Sequence, residues 1–239
     1  MSRKSLVAPT LFTLFGLALL SGLGTWQVQR LHWKERLIAQ RQAALAAPPV
    51  TLPTSLAAAR ALEFHPVRVT GRFRNDRELY LAAINERGDA GFQVLTPLLP
   101  ADGAAVLVDR GFVPSERKAP ASRAAGEPEG EVTVTGLLRL PPAGKSSWFV
   151  PDNRPDRNEW YWIDLPSMAA AAGIGAMLPF LIDADATPNP GGYPQGGQTP
   201  IALPNDHLQY ALTWYGLAGT LLVFYILLVL RHRRVGDHK

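Results

Sequence analysis

Few side chains in this 239-residue chain are suited to chemistry, and the cysteine count narrows them at once. With no cysteine, disulfides, thiolate catalysis, thiolate-bound copper or zinc and iron–sulfur clusters are all excluded. His32, His65, His207, His232 and His238 never pair at metal-ligand spacing outside the membrane, and His232 and His238 flank arginines in the tail and read as solvated. No Gly-x-Ser-x-Gly elbow, His-Glu-x-x-His helix or calcium loop occurs. Asp183 and Asp185 alternate across a strand end and read as turn formers rather than an acid–base couple. The stretch Gly191–Gly197 lacks the Lys-Ser/Thr of a phosphate loop, so Pro188–Gln198 reads as a rigid connector. One constellation remains. His207, Tyr210, Ala211 and Trp214 stand at i, i+3, i+4 and i+7, one stripe on a helix. A neutral imidazole there suits a haem iron, with Tyr210 and Trp214 against the macrocycle and Ala211 leaving room. Arg30 and Arg36 would suit the propionates, because a guanidinium fork matches a carboxylate. The same stripe equally suits an interfacial aromatic belt with a headgroup-bonding histidine.

The elements that must position these residues are two apolar runs. Ser5 to Gln29 carries no charge, with an apolar core from Leu6 to Gly24, and Leu208 to Leu230 is also uncharged. About 20 apolar residues cross a bilayer, so each run is long enough. A cleaved secretory signal would have a shorter apolar region, of about 7–15 residues. Arg231, Arg233, Arg234 and Lys239 follow the second run and Asp206 precedes it, which places the C-terminus in the cytoplasm. Two spans then put the N-terminus there too and the middle of the chain outside. The first span points the other way, since Arg30, Lys34, Arg36 and Arg41 follow it and only Arg3 and Lys4 precede it. The cleaner C-terminal asymmetry decides. The expected plan is a cytoplasmic 1–5, a span over 6–28, an outer domain over 29–205, a span over 206–230 and a basic tail over 231–239. The net charge of +4 collects beside the spans, where it serves lipid headgroups and topology rather than nucleic acid.

Leu31 to Ala47 continues the first helix until Pro48–Pro49 stop it, with Trp26, Arg30, Trp33 and Leu37 on one face. A short helical patch lies near Ser55–Ala61. The period then changes to two. Strands are expected over His65–Phe73 (with a bulge or close backbone contact at Gly71), Leu79–Ile84, Phe92–Leu98, Ala104–Val108, Val132–Leu140 and Leu178–Asp183. Asp102-Gly103 suits a type I′ hairpin turn, and Gly111 with Pro114 should end the strand that follows. Ser115–Glu129 reads as a loop and Pro166–Gly173 as a short helix. The fold class is α+β: two transmembrane helices flanking a mostly antiparallel, small barrel-like domain with short helices. Ala18/Gly22 and Gly216/Thr220 put small residues at four-residue spacing, suited to pairing of the spans or to a partner's helices.

Several segments, in this order, resemble the Surfeit locus protein 1 family. They are Gly22-Leu-Gly-Thr-Trp-Gln-Val-Gln-Arg30 with Trp33-Lys34, Pro66-Val67 to Gly71, Gln93-Val-Leu-Thr-Pro97 and Arg110-Gly-Phe-Val-Pro114. Pro151-Asp-Asn-Arg-Pro-Asp-Arg-Asn158, Gly191-Gly192 to Thr199 and Asn205-Asp-His-Leu-Gln-Tyr-Ala-Leu-Thr-Trp-Tyr-Gly-Leu217 follow. Any one is weak, but the ordered set covers nearly the whole chain. The resemblance implies a non-enzymatic assembly factor for haem–copper cytochrome c oxidase, acting on the haem a3 site of subunit I alongside other assembly factors, with haem a bound in bacterial members. His207 stands in the family's Asn-x-His-Leu motif as the candidate iron ligand. Trp26, Gln27, Arg30, Tyr210 and Trp214 also match motif positions. The basic tail and short N-terminus look bacterial, which implies a cell inner membrane and a periplasmic central domain. Two rival readings stand beside this one. The first is a membrane scaffold for nascent oxidase subunits that binds no haem. The second is a membrane-tethered hydrolase or transferase, for which no nucleophile–base pair is visible.

Overall fold

In the computed structural model, residues 6–85, 87–199 and 203–236 are described, and the chain divides into two units. The first holds the terminal helices, α1 (Val7–Leu45) up to Gln40 and α4 (His207–Gly236). Both are long and apolar enough to cross a membrane. At 1.5 Å per residue α1 is about 58 Å long, so it runs well past the hydrocarbon before the prolines end it.

The two helices run antiparallel. Thr10 Oγ1 meets Tyr225 Oη at 2.8 Å, and Thr25 Oγ1 meets Tyr215 Oη at 3.0 Å. Gly16 lies against Leu221 and Gly24 against the Tyr215 ring, while Ala211 and Ala218 are buried. The expected small pairs do not make this seam. Gly22 and Gly216 face open space, because they lie on other faces of their helices.

The second unit, 41–201, opens with β1 (Val50–Thr51) and α2 (Leu56–Ala61), whose first turn is capped by Ser55 accepting from Ala58 N–H. Strands β2 (Pro66–Phe73), β3 (Leu79–Ile84), β4 (Ala90–Pro100), β5 (Ala105–Pro114) and β6 (Glu131–Arg139) follow, then α3 (Leu165–Ala172) and β7 (Met177–Ala184). The order β1-β2-β6-β7-β5-β4-β3, with β2 also pairing β4, closes a five-stranded barrel of β2, β6, β7, β5 and β4. Closure depends on Gly71, where β2 passes from β6 to β4: a Cβ there would overlap the Leu99 carbonyl.

The sheet is mixed, since β5 and β7 run parallel. Val67, Val69, Leu98, Val106, Val108, Leu138, Phe180 and Ile182 fill the barrel, with Ala59 of α2 joining them. A second core lies on the other face, where Leu79, Leu95, Leu107 and Leu181 pack with Trp160 and with Leu165 and Met168 of α3. Strands β5 and β7 are therefore buried on both faces.

Three local expectations change. The β4–β5 connection holds Gly103 at φ +106° with Asp102 outside the positive region, so it is not a type I′ turn. Strand β5 does not stop at Gly111. It continues to Pro114 paired with Gly91–Gln93 of β4, while Phe112 and Gln195 also exchange both backbone hydrogen bonds, at 2.9 Å each. Gly111, at φ +117°, admits this crossing, since any side chain would overlap the Gln195 backbone. Ser115–Glu129 is not a plain loop either: it winds into short 3-10 turns that bury Arg123.

Candidate functional site

The stripe at the start of α4 separates by direction. Ala211 is buried at the seam, Trp214 is half-buried and Tyr210 is exposed. His207 turns toward α1, where its Nδ1 lies 2.7 Å from Oε1 of the buried Gln27. An amide oxygen only accepts, so in the neutral ring Nδ1 carries the proton and Nε2 keeps its lone pair. Such a bond fixes the ring's orientation and selects its tautomer, as it does in metal-ligating histidines. Gln27 is the residue that spacing could not reveal, since it stands 180 positions from His207. Its visible signals are an amide at the end of an uncharged run and a match to one of the family's motif positions.

Trp26 and Arg30 form a separate arrangement on α1. The Arg30 guanidinium sits 5.9 Å from the Trp26 ring centroid and 5.0 Å from that of Trp33. These cation–π contacts place the guanidinium beside the rings, and its N–H groups make no hydrogen bond among the described residues. No contact joins Arg30 to His207, Tyr210 or Trp214 among the described residues. Arg36 is exposed, and His32 Nδ1 is engaged by Glu35 at 3.2 Å. His238 lies outside the described residues.

The sheet unit keeps its ionisable groups in two internal networks. Glu78, on the approach to β3, pairs with Arg123 and lies 3.5 Å from Arg110 Nη1, while Arg123 also holds Glu127 at 2.7 Å. Arg110 further donates to the Gly126 carbonyl and lies over the Phe73 ring. The second network faces a cavity of about 270 Å³. There Arg139 Nε reaches Asp183 at 2.8 Å, Thr199 donates to Asp183 at 3.0 Å and Gly111 N–H donates to Asp109 at 3.0 Å. Asp183 is thus a buried ion-pair partner rather than a turn former. Asp185 does form the turn, accepting from Thr187 N–H at 3.0 Å. Burial, then the neighbouring Asp183 charge, pushes the Asp109 carboxyl up to about 7. Among the described residues no group of three or more His, Asp or Glu is arranged to hold a metal ion. A larger cavity of about 690 Å³ beside α3 has a mainly apolar lining that includes Pro141, Trp162, Leu165, Ala169 and Leu178.

Comparison with known proteins agrees with the ordered motifs. Residues 14–219 match the SURF1 family. The SURF1-like protein of Monosiga brevicollis is 43% identical over 232 residues, covering 91% of this chain and 85% of that protein. Surfeit locus protein 1 of Mus musculus is 42% identical over 213 residues, covering 83% and 68%. That of Homo sapiens is 41% identical over 214 residues, covering 83% and 70%. The chain belongs to the SURF1 family.

Proposed function

We propose that this protein is a two-pass, non-enzymatic assembly factor for haem–copper cytochrome c oxidase, and that His207 offers an axial ligand to haem a on its way to subunit I. The observation that carries this reading is the 2.7 Å bond from His207 to Gln27, which leaves Nε2 as the unprotonated nitrogen. An iron ligand needs that tautomer. The surrounding side chains fit an amphipathic macrocycle. Tyr210 and Trp26 offer exposed aromatic faces, Trp214 a half-buried one, and Arg30 offers N–H groups to carboxylates. Bound haem would bring a Lewis-acidic iron and two propionates; the chain's part is to hold the imidazole and exclude competing tautomers. The basic end of α4 supports cytoplasmic termini in a bacterial inner membrane, with the sheet unit periplasmic and free to meet oxidase subunits and other assembly factors.

A second reading, a scaffold without haem, draws on the open faces of Gly22 and Gly216, where a partner's helices could approach closely. One experiment separates the two. The protein is purified from cells making haem a, and the haem content and Soret spectrum of wild type, His207→Ala and Gln27→Leu are compared while oxidase assembly is followed. The ligand reading predicts loss of bound haem in His207→Ala and a weakened, shifted spectrum in Gln27→Leu. Unchanged haem in His207→Ala ends it. Oxidase assembly that survives His207→Ala but fails with Gly216→Leu installs the scaffold instead.

A further inference from the structure

Trp148 is 91% exposed and Phe149 is 72% exposed, an unusual position for two large aromatics in a unit whose other tryptophans, Trp160 and Trp162, are buried or half-buried. Their display is built. Val150 N–H donates to the Ser147 carbonyl at 3.2 Å, which makes Trp148 and Phe149 the central pair of a tight turn. Lys145 pairs with Asp152 across the base of that turn. Just beyond, Asn153 is tied to the Trp160–Trp162 segment: its Oδ1 accepts from Tyr161 N–H at 2.8 Å and its Nδ2 donates to the Trp162 carbonyl at 3.1 Å. The two rings stand edge to face, with centroids 5.8 Å apart. A clipped, anchored turn thus holds an apolar tip in the open.

We infer that this tip is a lipid contact, inserting into the headgroup–acyl boundary of the bilayer. Three arguments select lipid over protein. Aromatic rings offer about 150–250 Å² each, well short of the roughly 800 Å² per partner of a specific protein interface, whereas a Trp–Phe pair is suited to interfacial anchoring. The acid nearest the tip in sequence, Asp152, is neutralised by Lys145, so headgroup phosphates meet no unpaired carboxylate there. Finally, the same chain carries two helices long and apolar enough to cross a membrane, so lipid is already among its surroundings.

The absence of cysteine makes the test clean. Full-length Trp148→Cys, spin-labelled and reconstituted in phosphatidylethanolamine–phosphatidylglycerol vesicles, should be more accessible to oxygen than to a nickel chelate. A Glu131→Cys label, at the exposed start of β6, should show the reverse. In parallel, brominated lipid should quench a component of wild-type tryptophan fluorescence that is lost in Trp148→Phe. A Trp148 label as open to nickel as the control, with equal quenching of wild type and Trp148→Phe, overturns the inference. Protection that appears only when oxidase subunits are co-reconstituted overturns it in favour of a protein partner.

Discussion

The two units pair their polar side chains by opposite chemistry. Along the α1–α4 seam the cross-helix hydrogen bonds among the described residues use hydroxyls, an amide and an imidazole: Thr10 with Tyr225, Thr25 with Tyr215 and Gln27 with His207. In the barrel unit the buried groups are ionisable, with Glu78 and Glu127 on Arg123, and Asp109 and Asp183 facing Arg139. The difference follows from the solvent outside. A charge at the centre of a membrane helix costs at least about 2.5–3.5 kcal/mol, whereas a soluble core tolerates an ion pair whose members stay mutually compensated. It also tells where ligand chemistry is available. The barrel's buried carboxylates each face a guanidinium and have little left to offer. On the seam His207 retains Nε2, a strong acceptor with no bond among the described residues.

The sharpest way to break this contrast is to strand one charge in the barrel. Arg123→Ala leaves Glu78, only 2% exposed, with Arg110 Nη1 at 3.5 Å as its remaining cation. Orphaning a buried partner costs about 3–5 kcal/mol, so denaturant unfolding followed by tryptophan fluorescence should show a loss of that size. Adding Glu78→Gln should recover a good part of it. A loss below about 1 kcal/mol, the range of exposed pairs, would mean that the network is solvated and the contrast false.

Much of this architecture was legible in the residues, and the exceptions share a cause. The uncharged runs announced the helices, and period-two alternation announced β2, because one-dimensional periodicity reports which face of an element is buried. Gly71 was legible as a close backbone contact, since only glycine admits one. The parallel pairing of β5 with β7 left a fainter trace. Ala-Ala-Val-Leu-Val at 104–108 and Leu-Pro-Phe-Leu-Ile at 178–182 are continuous apolar runs, the mark of strands covered on both faces. What stayed hidden depends on partners remote in sequence. Arg123 sits in a Pro/Ala/Gly/Glu-rich stretch that resembles a solvated loop until Glu78 is brought to it. Likewise Gln27 looks like any interfacial amide until α4 folds back. The small-residue pairs misled because spacing identifies a face without saying which neighbour it meets.

The seam can be stressed sterically instead. A Cβ on Gly24 would lie 2.8 Å from the Tyr215 ring, whose hydroxyl is already held by Thr25. Such overpacking costs about 1–3 kcal/mol. In a Thr10→Cys/Tyr225→Cys background, cross-linking of the two helices by a bifunctional maleimide should drop sharply with Gly24→Val and persist with Gly22→Val and Gly216→Val. Equal loss from all three would show that the helices pair through another face.

The smallest effect is a pH slope, and its sign is opposite to that of an ordinary ion-paired carboxylate. Asp109 is pushed up to about 7 in the folded barrel, first by burial and then by Asp183, against the opposing pull of Arg139 and the Gly111 N–H. Between pH ~4, where an unfolded aspartate ionises, and pH 7, the folded state therefore holds a proton that the unfolded state has lost. Stability must fall as pH rises through that window, by at most about 1.4 kcal/mol per pH unit for one proton. Below pH ~4 both states are protonated and the slope vanishes. Asp76 does not interfere, because the Arg74 hydrogen bond holds it down to about 2 and confines its opposite slope to more acid solution. Asp183, also shifted upward by burial, adds to the trend. Denaturation midpoints across pH 4.5–7 should thus decline in wild type and flatten in Asp109→Asn, which keeps the oxygen that accepts from Gly111 N–H. A wild-type midpoint that climbs with pH would place Asp109 ionised and paired, and the barrel's second network would then be a plain salt bridge.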